Sequence, residues 1–246
     1  MLIKLNDLIK KYNILFKGIL HVGAHKCEEI TDYERFIPRN KILWVEAIPA
    51  LVEKCKNDFP DINIEQAVIT DKNETVTFNI SNNGESSSIL ELGTHSVLHP
   101  KIYYIYKFQA ETKLLSQFIN NYNINYNFLN LDIQGAELKA LKSLGNILHQ
   151  FDYIYTEVNS SYIYKNCALI GEIDNYLTAF NFVRVETEWW VHNPDNSNNY
   201  PDNSNNWGDA FYIKKKLLIE TTTHFLPEKS IPEIITVDKT IPEIIF

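Results

Sequence analysis

Four stretches of the chain set chemically useful residues directly after apolar runs. They are Val22-Gly-Ala-His, Val45-Glu-Ala, Leu131-Asp-Ile-Gln-Gly-Ala-Glu and Thr156-Glu-Val. Each apolar run reads as a buried strand, so Gly23, Glu46, Asp132 and Glu157 fall at strand ends. Burial alone gives a sheet no reason to carry an acid at the carboxyl end of strand after strand. In an open α/β sheet that edge is where ligands bind. Gly23 lets backbone approach a ligand closely, and the helix expected after it offers free N–H groups. The turn holds a single glycine, so the three-glycine dinucleotide fingerprint is absent. Glu46 follows Gly23 at about the spacing at which an acid accepts hydrogen bonds from ribose hydroxyls; its alternative role is to cap the next helix.

Other residues carry weaker signals. Gln66-Ala67 closes the third strand, where an amide and a small residue can edge an adenine ring. Asn82 to Ser88 is rich in donors and turn formers, and reads equally as an ordinary loop or as a cover over a ligand. Glu137, in the first turn of a helix, complements the helix dipole, and a functional role is as good a reading. Glu157 and Asn159 end the fifth strand, and Asp209 precedes a late one. Lone histidines such as His21, inside an apolar strand, and His25, in the turn, are more often structural than catalytic. His95 and His99 flank a probable-loop proline, Pro100, and either can serve as a base or metal ligand. Cys27 reads as inert packing.

The elements that must position these groups follow from periodicity. Strand-like and helix-like blocks alternate, the pattern of a parallel sheet covered by helices. Helices are expected over 2–12, 28–36, 49–59, 112–122, 136–149 and 171–180. Strands are expected over 19–22, 42–46, 63–69, 75–80, 128–133, 153–158, 182–191 and 210–213. The 246 residues, 45% hydrophobic and 13% aromatic, suit an N-terminal helix (1–17), one large domain (18–216) and an extended tail (217–246). The net charge of −8 argues against a nucleic-acid surface. Three scattered cysteines suggest free thiols in a reducing cytoplasm. The first residues do not read as a signal peptide, and no run has the length of a membrane span.

Two segments stand apart. Residues 192–206 contain the near repeat Pro194-Asp-Asn-Ser-Asn-Asn and Pro201-Asp-Asn-Ser-Asn-Asn, the composition of a solvated loop. The tail repeats Ile-Pro-Glu-Ile-Ile at Ile231 and Ile241. It reads as an arm lying on its own domain or, alternatively, as one reaching another subunit of a homo-oligomer.

Together, Val22-Gly-Ala-His, Val45-Glu-Ala, Gln66-Ala-Val, Ser86-Ser-Ser, Leu131-Asp-Ile-Gln-Gly-Ala-Glu-Leu and Thr156-Glu-Val resemble the FkbM family of S-adenosylmethionine-dependent methyltransferases. They stand in the family's order between Gly18 and Lys214. The resemblance implies a class I methyltransferase (Rossmann-like) α/β fold: seven strands, the last antiparallel, with helices on both faces. It implies a cofactor set of His21, Gly23, Ala24, His25, Glu28, Glu46, Ala47, Gln66, Ala67, Ser87 and Asp132. Gly23 and Ala24 would line the methionine part, Glu46 the ribose, and Gln66-Ala67 the adenine, with Asp132 near the sulfonium. His21 stands where the family commonly has an acid, and Glu28 or Glu29 is its expected substitute. Asp132, Glu157 and His95 are the catalytic candidates, and Mg²⁺ could be held by the strand-end acids. A hydroxyl of a sugar, glycan or related small molecule is the expected acceptor. The competing readings are an RNA ribose methyltransferase, an NAD-dependent oxidoreductase and a non-catalytic binding protein of the same fold.

Overall fold

The computed structural model describes residues 1–190 and 207–218. The Asn-rich stretch 192–206 and the tail repeats therefore lie outside the described residues. In chain order the elements are α1 (Leu5–Tyr12), β1 (Ile19–Val22), α2 (Ile30–Tyr33), β2 (Ile42–Glu46), α3 (Pro49–Asp58), β3 (Asn63–Gln66), β4 (Val68–Ile69), β5 (Thr75–Ser81), α4 (His95–Leu98), β6 (Tyr104–Lys113), α5 (Ser116–Ile119), β7 (Phe128–Leu131), α6 (Glu137–Leu144), β8 (Tyr153–Asn159), α7 (Ile170–Ala179), β9 (Phe182–Trp189) and β10 (Trp207–Lys214).

β1, β2, β7 and β8 are buried at every position, as strands covered on both faces must be. They lie in a seven-stranded sheet of order β3-β2-β1-β7-β8-β10-β9. β1 pairs in parallel with both β2 and β7, and β7 pairs in parallel with β8. β10 runs antiparallel to both neighbours, β8 and β9. The chain winds outward from β1 in one direction and from β7 in the other. The crevice at that reversal, beyond the carboxyl ends of β1 and β7, is the expected ligand position for such a sheet.

Alternation sends successive side chains to opposite faces. Ile19, Ile42, Trp44, Phe128 and Phe211 pack under α1 to α3 through Leu5, Leu8, Ile30, Val52 and Cys55. Leu20, Val22, Leu43, Val45, Leu129 and Leu131 pack under α5 to α7 through Phe118, Leu141, Leu144, Ile173 and Leu177. Each fully buried aliphatic side chain contributes about 1.5–3 kcal/mol. The fold is thus α/β, with helices on both faces.

The structure corrects several element boundaries. The third strand is divided. β3 ends in the main sheet, and β4 joins a second sheet of order β4-β6-β5. The helix expected over 112–122 is instead the end of β6 followed by the single turn α5. Val76, Phe78, Ile80, Phe108 and Ala110 form one small apolar cluster, and Phe78 faces Phe108 at 5.4 Å between ring centres. That cross-strand packing holds the chain extended through Lys113, so the helical spacing is realised only in the single turn that carries Phe118 and Ile119. The helix expected over 28–36 is the single turn α2, which follows a turn where His25 and Cys27 take φ values of 45° and 58°, outside the helical region. α6 stops at Leu144, where Gly145 has φ 54°.

Candidate active site

The ends of β1, β2 and β7 are drawn together by their backbones. Gly23 has φ +89°, and a Cβ there would lie 1.8 Å from the carbonyl oxygen of Asp132. Only glycine permits that approach. The N–H groups of Gly23 and Ala24 both donate to the Val45 carbonyl, at 2.9 and 3.1 Å, and Asp132 donates to Val22 at 3.0 Å. The Ala67 N–H donates to the Glu46 carbonyl at 2.9 Å. Above this floor opens a cavity of about 600 Å³, within the range of small-ligand sites.

Glu46 is only 6% exposed. Its Oε2 accepts from the His25 N–H and its Oε1 from the Ile48 N–H, each at 2.8 Å. The carboxylate therefore anchors both the β1 turn and the start of α3. Each oxygen keeps acceptor capacity for a further donor. Burial pushes this carboxyl above its ordinary value, against the pull of the two N–H groups. In the turn, the His25 Nδ1 lies 2.8 Å from Glu28 Oε1. Burial pushes Glu28 up, but backbone N–H groups and the His25 ring outweigh it and hold the carboxyl below its usual value.

Gln134 joins the two acids at the ends of β7 and β8. Its Nε2 donates to Asp132 Oδ1 at 2.6 Å and to Glu157 Oε2 at 2.8 Å, while its Oε1 accepts from the Tyr164 hydroxyl at 2.6 Å. The residue sits at φ 55°, a left-handed conformation that costs about 1–2 kcal/mol in a non-glycine residue. Two contacts hold it there. Ser88 Oγ donates to the Gln134 carbonyl at 2.8 Å. Glu137 Oε1 accepts the N–H groups of Ile133 and Gly135 at 3.1 and 3.0 Å. Glu137 thus clamps the loop that carries Asp132 and Gln134. Burial pushes its carboxyl up to about 7.

Burial also raises Glu157, and the negative charge of Asp132 raises it further, well above the carboxylate range. Asp132 is raised by burial too, but the Gln134 amide opposes that shift. Glu157 is raised further than Asp132, so a proton shared by this pair rests mainly on Glu157. Nearby, the Tyr155 hydroxyl and the Leu2 N–H both donate to Asp209, and the Ile3 N–H donates to Tyr155 at 3.1 Å. Burial pushes Asp209 up to about 6.

The remaining candidates divide. Ala24, Ala47, Ala67, Ser87 and His95 line the cavity with the residues above. Gln66 is exposed and lies outside that wall; its neighbour Ala67 takes the inward position, since successive side chains alternate. Ser87 shapes its loop, its Oγ donating to the Gly84 carbonyl at 2.6 Å and accepting the Ser81 N–H at 3.0 Å. His95 is pushed down to about 4 by burial and the neighbouring His99, and its buried Nδ1 has no partner among the described residues. His21 stacks on Trp44 at 4.6 Å, with its Nδ1 3.1 Å from the Tyr33 hydroxyl. Asn130 Nδ2 also donates to that hydroxyl, at 2.9 Å. Burial pushes His21 down to about 3, so this network is neutral.

Sequence reasoning did not single out Gln134, Tyr164 or Tyr155. The glutamine was visible inside its motif, but nothing local marks Tyr164, which reaches the site only through tertiary packing. The rings of Trp190 and Trp207 also stack at the cavity, 5.1 Å apart and 11° from parallel. Among the described residues no group of three or more His, Cys, Asp or Glu side chains is gathered to hold a metal ion. The described wall carries seven acids (Glu28, Glu29, Glu46, Glu85, Asp132, Glu157 and Asp209) and neither lysine nor arginine.

The methyltransferase FkbM domain matches residues 21–184 of the sequence, well over half of the chain. The chain belongs to the FkbM methyltransferase family. An FkbM methyltransferase uses S-adenosylmethionine as its methyl donor. No curated protein sequence matches the chain. Among solved structures it is similar to an S-adenosylmethionine-dependent methyltransferase from Clostridium acetobutylicum ATCC 824, at 9% identity and TM-score 0.47, covering 85% of this chain and 88% of that one. It is also similar to TrmK from M. capricolum in complex with S-adenosyl-homocysteine, at 9% identity and TM-score 0.39, covering 87% and 70%. The residues of the FkbM site fit the cofactor chemically. Glu46 has acceptor capacity for hydroxyls, Ile48, Leu51, Val68 and Phe78 supply an apolar wall, and the acids suit a cationic centre.

Proposed function

We propose that this methyltransferase is a cytoplasmic enzyme that methylates a hydroxyl of a neutral acceptor: a sugar, a glycan or a related small molecule. One observation carries this reading. The described cavity wall carries seven acids and neither lysine nor arginine to meet a phosphate. Nucleic-acid binding depends on lysine and arginine, so a polyanionic RNA is a poor match. A neutral, hydroxyl-rich acceptor is not repelled, and the stacked Trp190 and Trp207 offer the flat apolar surface on which a ring can lie.

Bound S-adenosylmethionine supplies an electrophilic methyl group on a sulfonium. In this reading Glu46 accepts hydrogen bonds from the ribose hydroxyls, while Ala47, Ile48, Ala67 and Val68 flank the adenine. The Gly23-Ala24 backbone lines the methionine part beside His25 and Glu28. Asp132, the less strongly raised acid of the pair, accepts the proton of the acceptor hydroxyl as the oxygen becomes nucleophilic. Gln134, bonded to both Asp132 and Glu157, holds Asp132 in place, and orientation supplies much of the remaining barrier reduction. The Asn82 to Ser88 loop, which lines the cavity through Asn83 to Ser87, excludes water.

The test is transfer of labelled methyl from S-adenosylmethionine to a panel of neutral oligosaccharides and glycosides, with an RNA pool in parallel. The expected result is a methyl ether on a carbohydrate hydroxyl, identified by NMR. Label in RNA alone, or none in any neutral hydroxyl compound by protein that binds S-adenosylhomocysteine, would overturn the reading.

A further inference from the structure

The cavity chemistry leaves two thiols unused. Cys27, in the turn after β1, and Cys55, on α3, are both fully buried, and their sulfurs lie 3.2 Å apart. Cys55 Sγ is also 3.4 Å from the carbonyl oxygen of His25. The N–H of that same His25 donates to Glu46. The pair thus sits directly behind the turn that the cofactor is to contact. The third cysteine, Cys167, belongs to a separate cluster with Ile163 and Tyr164.

We propose that Cys27 and Cys55 form a reversible oxidation site, closing to a disulfide that displaces the cofactor turn and weakens cofactor binding. Two thiols in van der Waals contact need move little more than an ångström to reach the S–S bond length of about 2.05 Å. That movement draws Cys27 toward α3 and shifts His25 against Glu46. The Cys27 thiol donates to Cys55 Sγ, which pushes Cys55 below its ordinary value and makes it the better nucleophile. The oxidant is a peroxide, small enough to enter the cavity whose wall includes His25, the residue that Cys55 Sγ contacts from behind. The Cys55 thiolate attacks one peroxide oxygen, the O–O bond breaks, and sulfenic acid and water form after proton transfer. Cys27 then attacks the Cys55 sulfur, expelling the second water. In sum, two thiols and one hydrogen peroxide give one disulfide and two waters.

The effect on affinity rests on the proposed cofactor role of this turn, whereas disulfide formation does not. The purified full-length protein is treated with graded hydrogen peroxide, blocked with N-ethylmaleimide, digested without reduction and mapped by mass spectrometry. Calorimetry with S-adenosylhomocysteine follows on reduced and oxidised samples. The expected first product is a Cys27–Cys55 linked peptide, two hydrogens lighter than the thiol pair. Affinity should fall at least fivefold and recover with dithiothreitol. C27S and C55S should each abolish the linked peptide and the peroxide response. Oxidation of Cys167 first, sulfinic acid at both residues without a link, or a linked protein with affinity unchanged would each overturn the proposal. A reduced protein that binds no S-adenosylhomocysteine defeats the cofactor reading and the affinity claim together, and the peptide map still decides the disulfide.

Discussion

Replacing Glu137 by glutamine separates its charge from its shape. The side chain is wholly buried, its Oε1 accepts two loop N–H groups, and its Oε2 has no partner among the described residues. Its carboxyl titrates near 7 in the folded protein, against an ordinary 4.5. Between these values the folded state holds a proton that the unfolded chain has released. Stability from this group is therefore full below pH 4.5 and declines as pH rises to 7. At about 1.4 kcal/mol per pH unit, ionised Glu137 costs the fold about 3 kcal/mol at pH 8. Glutamine keeps the oxygen acceptor, and its amide meets the same unpartnered space as the protonated acid's hydroxyl. E137Q should match the wild type at pH 5 and exceed it by about 3 kcal/mol at pH 8. Urea unfolding followed by circular dichroism at both pH values measures the difference. A difference between the two proteins that is the same at pH 5 and pH 8 would refute the reasoning.

Three further substitutions test the site. Asp132→Asn should leave the melting temperature within a few degrees while lowering kcat for methyl transfer about 10²- to 10⁴-fold; full turnover on an identified acceptor would remove Asp132 from the chemistry. Gly23→Ala, facing a backbone oxygen 1.8 Å from the new Cβ, should destabilise the fold by about 3 kcal/mol or more, and a wild-type unfolding midpoint would contradict the close approach. His21 stays neutral to about pH 3 when folded but takes a proton near 6.5 when unfolded. Its stabilisation is therefore lost as pH falls through that window, by about 3 kcal/mol at pH 4, and His21→Gln should flatten the acid limb of the stability profile.

The central strands were legible because β1, β2, β7 and β8 are buried at every position and mostly apolar, and their strand-end residues are set by local sequence. Gly23, Glu46, Asp132 and Glu157 meet in one cavity because parallel strands share a carboxyl edge. The second sheet was not legible in the same way. No strand is expected at β6, which opens with three apolar residues in a row. Leu115, Phe118 and Ile119 after it suggest a longer helix than the single turn α5, and packing of Phe108 on Phe78 holds the preceding chain extended. Gln134 shows another limit. Its type fits many loops, and its importance comes from a left-handed backbone that aims one amide at two acids. His21 looked like a departure at the cofactor site, yet its polarity is satisfied within the core by Tyr33 and Asn130, residues distant in sequence.

In the proposed function, the acidic cavity at the ends of β1, β2 and β7 binds S-adenosylmethionine through Glu46. Isothermal titration calorimetry of S-adenosylhomocysteine against wild type and Glu46→Ala, with NAD as the comparison ligand, is the decisive measurement. The expected result is one site per chain in the wild type, at least tenfold weaker binding in folded Glu46→Ala, and no heat with NAD. Wild-type protein that is folded yet binds no S-adenosylhomocysteine, or a Glu46→Ala protein that binds it as tightly, would overturn that binding mode.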